Sequence, residues 1–215
     1  MTTNNSESQR TISALFVEVG GCYDSELFDV WTVERDARLY RGHNPVVAHP
    51  PCQRWGRFWH GSPCKPHQFR LGEDAGCFAS ALTAVRNYGG ILEHPAGSKA
   101  WKYFGLRHPK QALGWIPADD FGGWTCQIDQ KHYGHQAPKP TWLYAVNTLR
   151  PELIWEKSDR TPPSWMIEKY GEAKARKIGV VAMIGGKNKT LLRNATPPQF
   201  RDLLVAIAQS ARKLH

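Results

Sequence analysis

Pro50-Pro51-Cys52-Gln53 puts a thiol on a stiff loop just after the apolar residues Val46 and Val47. Two successive prolines stop a strand, because neither has an N–H to give to a neighbour and each fixes its own φ. A cysteine at the carboxyl end of a strand in an open α/β sheet stands where such sheets bind ligands. As a thiolate it is a soft nucleophile. Glu93 is the second candidate: it follows Ile91-Leu92, precedes Pro95, and so should sit at another sheet edge. A carboxyl group there can hold or pass on a proton. His49, His60 and His94 are candidates to draw off the thiol proton. Each has a plainer alternative. A lone cysteine is more often packing, a strand-end glutamate is usually solvated, and histidines in aromatic loops are mostly hydrogen-bonded structure.

The elements that must position these groups read as follows. Ile12 to Val19 is a first strand, broken by Gly20-Gly21, and Asp29 to Glu34 is a second; Val46-Val47 ends a third. Arg54 to Asp74 is a long loop rich in Gly, Pro, His and aromatics. Ala75 to Tyr88 has helical period, with Phe78, Leu82 and Val85 on one face and Gly89-Gly90 as the stop. Ile91-Leu92-Glu93 is a short strand, and Ser98 caps a short helix through Phe104. Gly123 to Ile128 and Thr141 to Val146 are strands whose link is too short for a crossover helix, so they should pair antiparallel. Residues 150 to 190 are mixed and basic. Pro197 opens a last helix with Phe200, Leu203, Leu204 and Ile207 on its buried face. This order indicates a three-layer α/β fold.

The chain of 215 residues is long enough for one domain with a proper core. Its nine tryptophans suggest stacking surfaces or a strongly aromatic core, and its net charge of +9 favours a polyanionic, nucleic-acid or nucleotide partner over a merely basic surface. Five cysteines (Cys22, Cys52, Cys64, Cys77, Cys126) without regular spacing, a polar run from Thr2 to Arg10 and no membrane-length apolar stretch predict free thiols in a reducing cytoplasm and no membrane partner.

Taken together, these marks resemble the cytosine-C5 DNA methyltransferases. Ala14-Leu15-Phe16-Val17-Glu18-Val19-Gly20-Gly21 echoes the family's first motif, and Glu34 its ribose-binding acidic residue. Pro50-Pro51-Cys52-Gln53 matches its Pro-Pro-Cys-Gln loop, while Glu93-His94-Pro95 matches Glu-Asn-Val only at the glutamate. Tyr133 to Thr141 echoes the Tyr-Gly-x-Pro-Gln-x-Arg-x-Arg segment, and Ala195 to Gln199 its late Leu-Thr-x-Arg-Glu segment. The marks keep the family's order from residue 14 to about 200, across nearly the whole chain. The resemblance implies a Rossmann-like, methyltransferase-type sandwich over residues 11–215, with a disordered tail at 1–10 and an antiparallel strand pair at one edge. It implies Cys52 and Glu93 as the catalytic pair on a flipped-out base, with Pro51, Gln53, Trp55, His94 and Lys139 on the substrate side. It implies Phe16, Glu18, Gly20 and Glu34 around S-adenosylmethionine.

The departures shape the expectation. Glu18 stands where the family has a glycine beside the cofactor. About a dozen residues separate Gly21 from Glu34, too few for the usual helix, and the next strand and helix seem cut away before Cys52. The cofactor half is reduced, and no target-recognition insert stands between Val146 and Thr196. The chain therefore reads as a compact, phage-type variant. It would modify cytosine at C5, in DNA or a nucleotide, either with S-adenosylmethionine or by the same covalent chemistry without it. The non-enzymatic alternative is a nucleic-acid-binding homologue that keeps only the shape. Two further expectations concern the long loop. Cys64 and His67, with His60, have zinc-like spacing but lack two clean pairs, so no metal ligand is assigned. Trp55, Phe58 and Trp59 would form a lid over the base, with His49 or His60 beside Cys52.

Overall fold

A computed structural model describes residues 11–61, 67–109, 113–178, 184 and 187–212. The proposed tail at 1–10 and Cys64 lie outside the described residues. The chain is α/β. Strands β1 (Ile12–Leu15), β2 (Phe28–Trp31), β3 (Val46–Ala48), β4 (Gly90–Pro95), β5 (Ile116–Pro117), β6 (Gly123–Asp129) and β7 (Pro140–Val146) form one seven-stranded mixed sheet in the order β2-β1-β3-β4-β7-β6-β5. The first four are parallel; β7 runs antiparallel between β4 and β6, and the expected β6–β7 pairing is present from Gly123↔Val146 to Asp129↔Pro140.

Helices cover both faces, an arrangement compatible with a Rossmann-like sandwich. Helix α1 (Cys77–Tyr88) packs Phe78, Leu82 and Val85 on one face against Leu15, Val46, Ala48 and Leu92, with α2 (Lys99–Tyr103) beside it. Helix α6 (Pro198–Gln209) packs Phe200, Leu204 and Ile207 on the other against Ala14, Val47, Ile91 and Leu143. These faces are the ones that the helical period marks. Each such side chain contributes about 1.5–3 kcal/mol when fully buried. Among the described residues the mixed region instead holds the short helices α3 (Ser164–Tyr170), α4 (Glu172–Ile178) and α5 (Lys189–Asn194).

Strand lengths differ from the sequence expectation at the sheet's cofactor end. β1 stops at Leu15 rather than Val19, because Phe16 turns to a φ of 59° while its amide still reaches the Trp31 carbonyl at 2.9 Å. β2 spans Phe28–Trp31, and Glu34 lies in the turn after it. Only a three-residue 3-10 turn, Ala37–Leu39, is formed between β2 and β3. The chain leaves β1 for β2 on one side and returns to β3 on the other. The carboxyl edge between β1 and β3 is thus the switch point, where open sheets of this kind leave a crevice.

Candidate active site

The Cys52 loop begins at that switch point. The His49 amide donates to the Leu15 carbonyl at 3.0 Å, tying the end of β3 to β1. Pro50 and Pro51 then carry the chain out of the sheet. The Cys52 carbonyl accepts the Trp55 amide at 3.0 Å and the Gly56 amide at 3.1 Å, which closes a turn around the thiol. Pro51, Cys52 and Gln53 are exposed residues.

Trp55 is not part of a lid. It is 2% exposed, its Nε1 donates to Asp74 Oδ2 at 2.8 Å, and its ring packs among Phe78, Tyr103 and Phe104. An indole needs one polar partner and a large apolar surround, and the α1–α2 side of the sheet supplies both. Trp55 therefore anchors the loop from below instead of covering a base. Phe58 is exposed, and Trp59 packs edge-on against His60.

Register explains how Glu93 meets the loop. β3 and β4 pair as Val46↔Gly90, Val47↔Ile91 and Ala48↔Leu92, so His49 and Glu93 come next, side by side on one face. His49 Nδ1 lies 3.0 Å from Glu93 Oε1, and His49 Nε2 lies 2.9 Å from the Tyr23 hydroxyl. Histidine 49 is therefore a partner of the carboxylate, and not the base beside the thiol that its position in the sequence suggested. Burial works to raise the Glu93 pKa, but the hydrogen bond from His49, with the charge of Lys139 behind it, leaves it below the ordinary carboxylate value.

Lys139 enters from the turn before β7. Asp129 Oδ1 accepts its backbone amide at 2.7 Å and that of Lys131 at 3.1 Å, which closes the β6–β7 connection. Its Nζ donates to the carbonyls of Asn194 and Ala195 at 3.3 and 3.4 Å. Burial pulls the Lys139 pKa down, while Glu93 and Cys52 push it up. Burial and then the Glu93 charge raise the Cys52 thiol above its usual value, with Lys139 acting against them. The three groups thus act on one another at a single sheet edge. The residue Cys52 is exposed, yet its thiol lies close enough to the protein mass to be partly desolvated.

His94 takes the opposite face. It is 1% exposed, wedged between Phe78 and Trp101, and neither ring nitrogen makes a full hydrogen bond. Burial lowers its pKa to about 4, and the charge of Glu93 with the Pro51 and Pro50 carbonyls only partly opposes this. It backs the Pro-Pro turn from beneath rather than meeting a substrate. Between pH 6.5 and about 4 the unfolded chain binds a proton here that the folded chain refuses, so stability falls as pH falls through that window. We expect the stability difference between pH 7 and pH 4.5, measured by urea unfolding, to shrink by about 2–3 kcal/mol in His94→Asn. An unchanged difference would mean that His94 takes up its proton in the fold as readily as out of it.

The four residues expected around a cofactor share the carboxyl side of β1 and β2. Phe16 is half-buried; Glu18, Gly20 and Glu34 are exposed. Gly20 has a φ of 68°, and a side chain there would meet nothing within 4 Å. An open glycine turn thus follows one strand, and an exposed carboxylate follows the next, which is the edge strand.

Tyr23 is the site residue that the sequence did not single out. It is one buried aromatic in a polar, glycine-rich loop, and nothing local marks it. Among the described residues no group of three or more His, Cys, Asp or Glu is placed to hold a metal ion. Among them, too, no helix is long and apolar enough to cross a membrane. No protein-family model matches this chain, and no curated protein matches it significantly.

Proposed function

We propose that this chain is an enzyme that modifies cytosine at C5, in DNA or a nucleotide, through a transient adduct between Cys52 and C6 of the ring. The observation that carries this reading is that the β3–β4 and β4–β7 registers bring Cys52 after β3, Glu93 in β4 and Lys139 just before β7 to the same end of the sheet. Cytosine C5 is too weak a nucleophile to attack an electrophile unaided. Addition of a thiolate to C6 turns it into an enamine carbon, provided that N3 gains a proton as charge arrives. Glu93 is the group for N3. Lys139 lowers the thiol pKa and limits the repulsion between thiolate and carboxylate. The net charge of +9 supports an anionic substrate. This constellation is that of a cytosine-C5 methyltransferase of compact, methyltransferase-type fold with a reduced cofactor half.

In the first form of the reading, Phe16, Glu18, Gly20 and Glu34 hold S-adenosylmethionine. That cofactor, when bound, supplies an electrophilic methyl group to C5. The short Ala37–Leu39 turn and the edge position of β2 favour a second form, in which C5 is modified by the same adduct without that cofactor.

Release of the C5 hydrogen from 5-tritiated cytosine in an oligonucleotide tests the common step, because the adduct exchanges that hydrogen whether or not a cofactor is present. We expect release with the protein alone, and a mass gain on the Cys52 peptide with a 5-fluorocytosine oligonucleotide. Absence of both overturns the reading in either form. Titration with S-adenosylmethionine by calorimetry separates the forms: saturable heat supports methyl transfer, and release without such heat supports the cofactor-independent reaction.

A further inference from the structure

Beneath Glu93 runs a short chain of polar groups in an otherwise apolar setting. The Tyr23 hydroxyl meets His49 Nε2 at 2.9 Å, and His49 Nδ1 meets Glu93 Oε1 at 3.0 Å. Tyr23 is 2% exposed, and the side chains of His49 and Glu93 are 11% and 14% exposed. The three come from separate parts of the chain: the loop after β1, the residue after β3, and β4.

Hydrogen-bond chemistry fixes the direction of this chain. A carboxylate only accepts, so the proton must be on Nδ1 of His49. With the ring neutral, Nε2 is then an acceptor and the Tyr23 hydroxyl donates. Burial, before any neighbouring charge, holds the Tyr23 pKa well above its usual value, and the hydroxyl stays a donor. The tautomer of His49 is thereby set by a residue that the proposed chemistry does not otherwise need. Among the described residues Glu93 Oε2 takes no hydrogen bond, while Oε1 is held.

We propose that Tyr23 and His49 are positioning residues for Glu93, locking the imidazole tautomer so that Oε1 is pinned and Oε2 faces the N3 edge of the pyrimidine. This rests on the reading of Cys52 and Glu93 as a base-modifying pair, and extends it to how the carboxyl group is aimed. The step balances without any oxidant or reductant. The Cys52 S–H bond breaks and its proton passes to Glu93. The S–C6 bond forms, the C5–C6 pair moves to C4–C5, and the C4–N3 pair moves onto N3, which takes the proton from Oε2. His49 keeps its Nδ1 proton throughout. By favouring the carboxylate, its hydrogen bond makes Glu93 surrender the proton to N3 instead of keeping it.

The groups facing these residues are few. The charges of Lys139 and Cys52, with His94 next in the strand on the opposite face, act on Glu93, while Cys22, Arg201 and Asp202 act on Tyr23. Arg201 is engaged by the Cys22 carbonyl at 2.7 Å and by Asp202.

The test uses the full chain and its C5-hydrogen release. We expect His49→Leu to slow release about a hundredfold, in line with loss of a positioned proton-transfer group. His49→Asn, whose amide can donate near the Nδ1 position, should restore release to within about fivefold of the wild type, and Tyr23→Phe should slow it about fivefold. All three should show altered pH–rate profiles. Nitrogen NMR of the imidazoles at pH 8 should show His49 in the wild type as the Nδ1–H tautomer. Should His49→Leu or Tyr23→Phe release hydrogen at the wild-type rate with the wild-type profile, or should His49 carry its proton on Nε2, the relay is overturned while the base-modifying reading stands. If the wild type itself releases nothing, that reading fails, and this role fails with it.

Discussion

Cys52→Ala is expected to abolish both C5-hydrogen release and capture of 5-fluorocytosine, and Glu93→Gln to slow both about a thousandfold. The two losses have different causes. Without sulfur there is no bond to C6 and no enamine, so nothing remains of the route. Glutamine still fills the space and can hold the base, but it cannot give N3 a proton. A positioned acid is typically worth 10²–10⁴ in rate, and a thousandfold is about 4 kcal/mol of barrier. Cys77→Ala is the control, because Cys77 opens α1 and is a free, half-buried thiol whose electrostatic neighbours are Asp74, Arg38 and Asp36 rather than Glu93 or Lys139. The pH dependence follows from the raised Cys52 pKa, which burial causes and Glu93 reinforces. The Cys52 proton is the one that reaches N3 through Glu93, so the reactive state holds one proton between thiol and carboxylate, and release should stay level above pH 7 and fall only as the raised thiol pKa is passed. Lys139→Met removes the charge that lowers the thiol pKa, and should move this fall to higher pH. Capture that survives Cys52→Ala at the wild-type rate would assign the chemistry to another residue.

The pieces of this site differ in how plainly the sequence carries them. Val46-Val47 followed by two prolines is a local signal, and the loop and exposed cysteine stand where it puts them. The antiparallel β6–β7 pair and the buried faces of α1 and α6 follow from link length and helical period, which are also local. The partnership of His49 with Glu93 depends on the β3–β4 register, which couples residues 44 positions apart in the chain. No short-range pattern encodes it. Tyr23 reaches His49 from a third segment and is still less visible. Trp55 shows the reverse failure: its neighbours in sequence are loop-like, but its contacts come from α1 and α2, and contacts decide burial. The early end of β1 is likewise invisible locally: Phe16 takes a positive φ although its amide still bonds the Trp31 carbonyl of β2.

Gly90 carries that register, and Gly90→Ala is expected to be the most damaging single substitution in the scaffold. The residue opens β4 with a φ of 124°, a conformation that L side chains rarely adopt. A Cβ there would stand 2.0 Å from the Val46 carbonyl oxygen and 2.6 Å from its nitrogen. Both are backbone atoms, and the Val46 amide is already committed to the Gly89 carbonyl at 3.0 Å. No side chain can rotate aside to relieve the contact, so the two parallel strands must part. Backbone strain of about 1–3 kcal/mol adds to the lost ladder bonds and to the loosened packing around Val46 and Leu92. A total of about 5 kcal/mol is comparable with the whole stability of many domains. For a chain of this length it should lower the melting temperature by about 10–20 °C, if soluble protein is obtained at all. The effect should reach the site as well, because the same pairing sets His49 against Glu93. Any folded fraction should therefore release the C5 hydrogen more slowly per molecule than the wild type. A Gly90→Ala protein that melts within a few degrees of the wild type would show that the strands can part at little cost, and that the alignment of His49 with Glu93 does not depend on close backbone contact at this point.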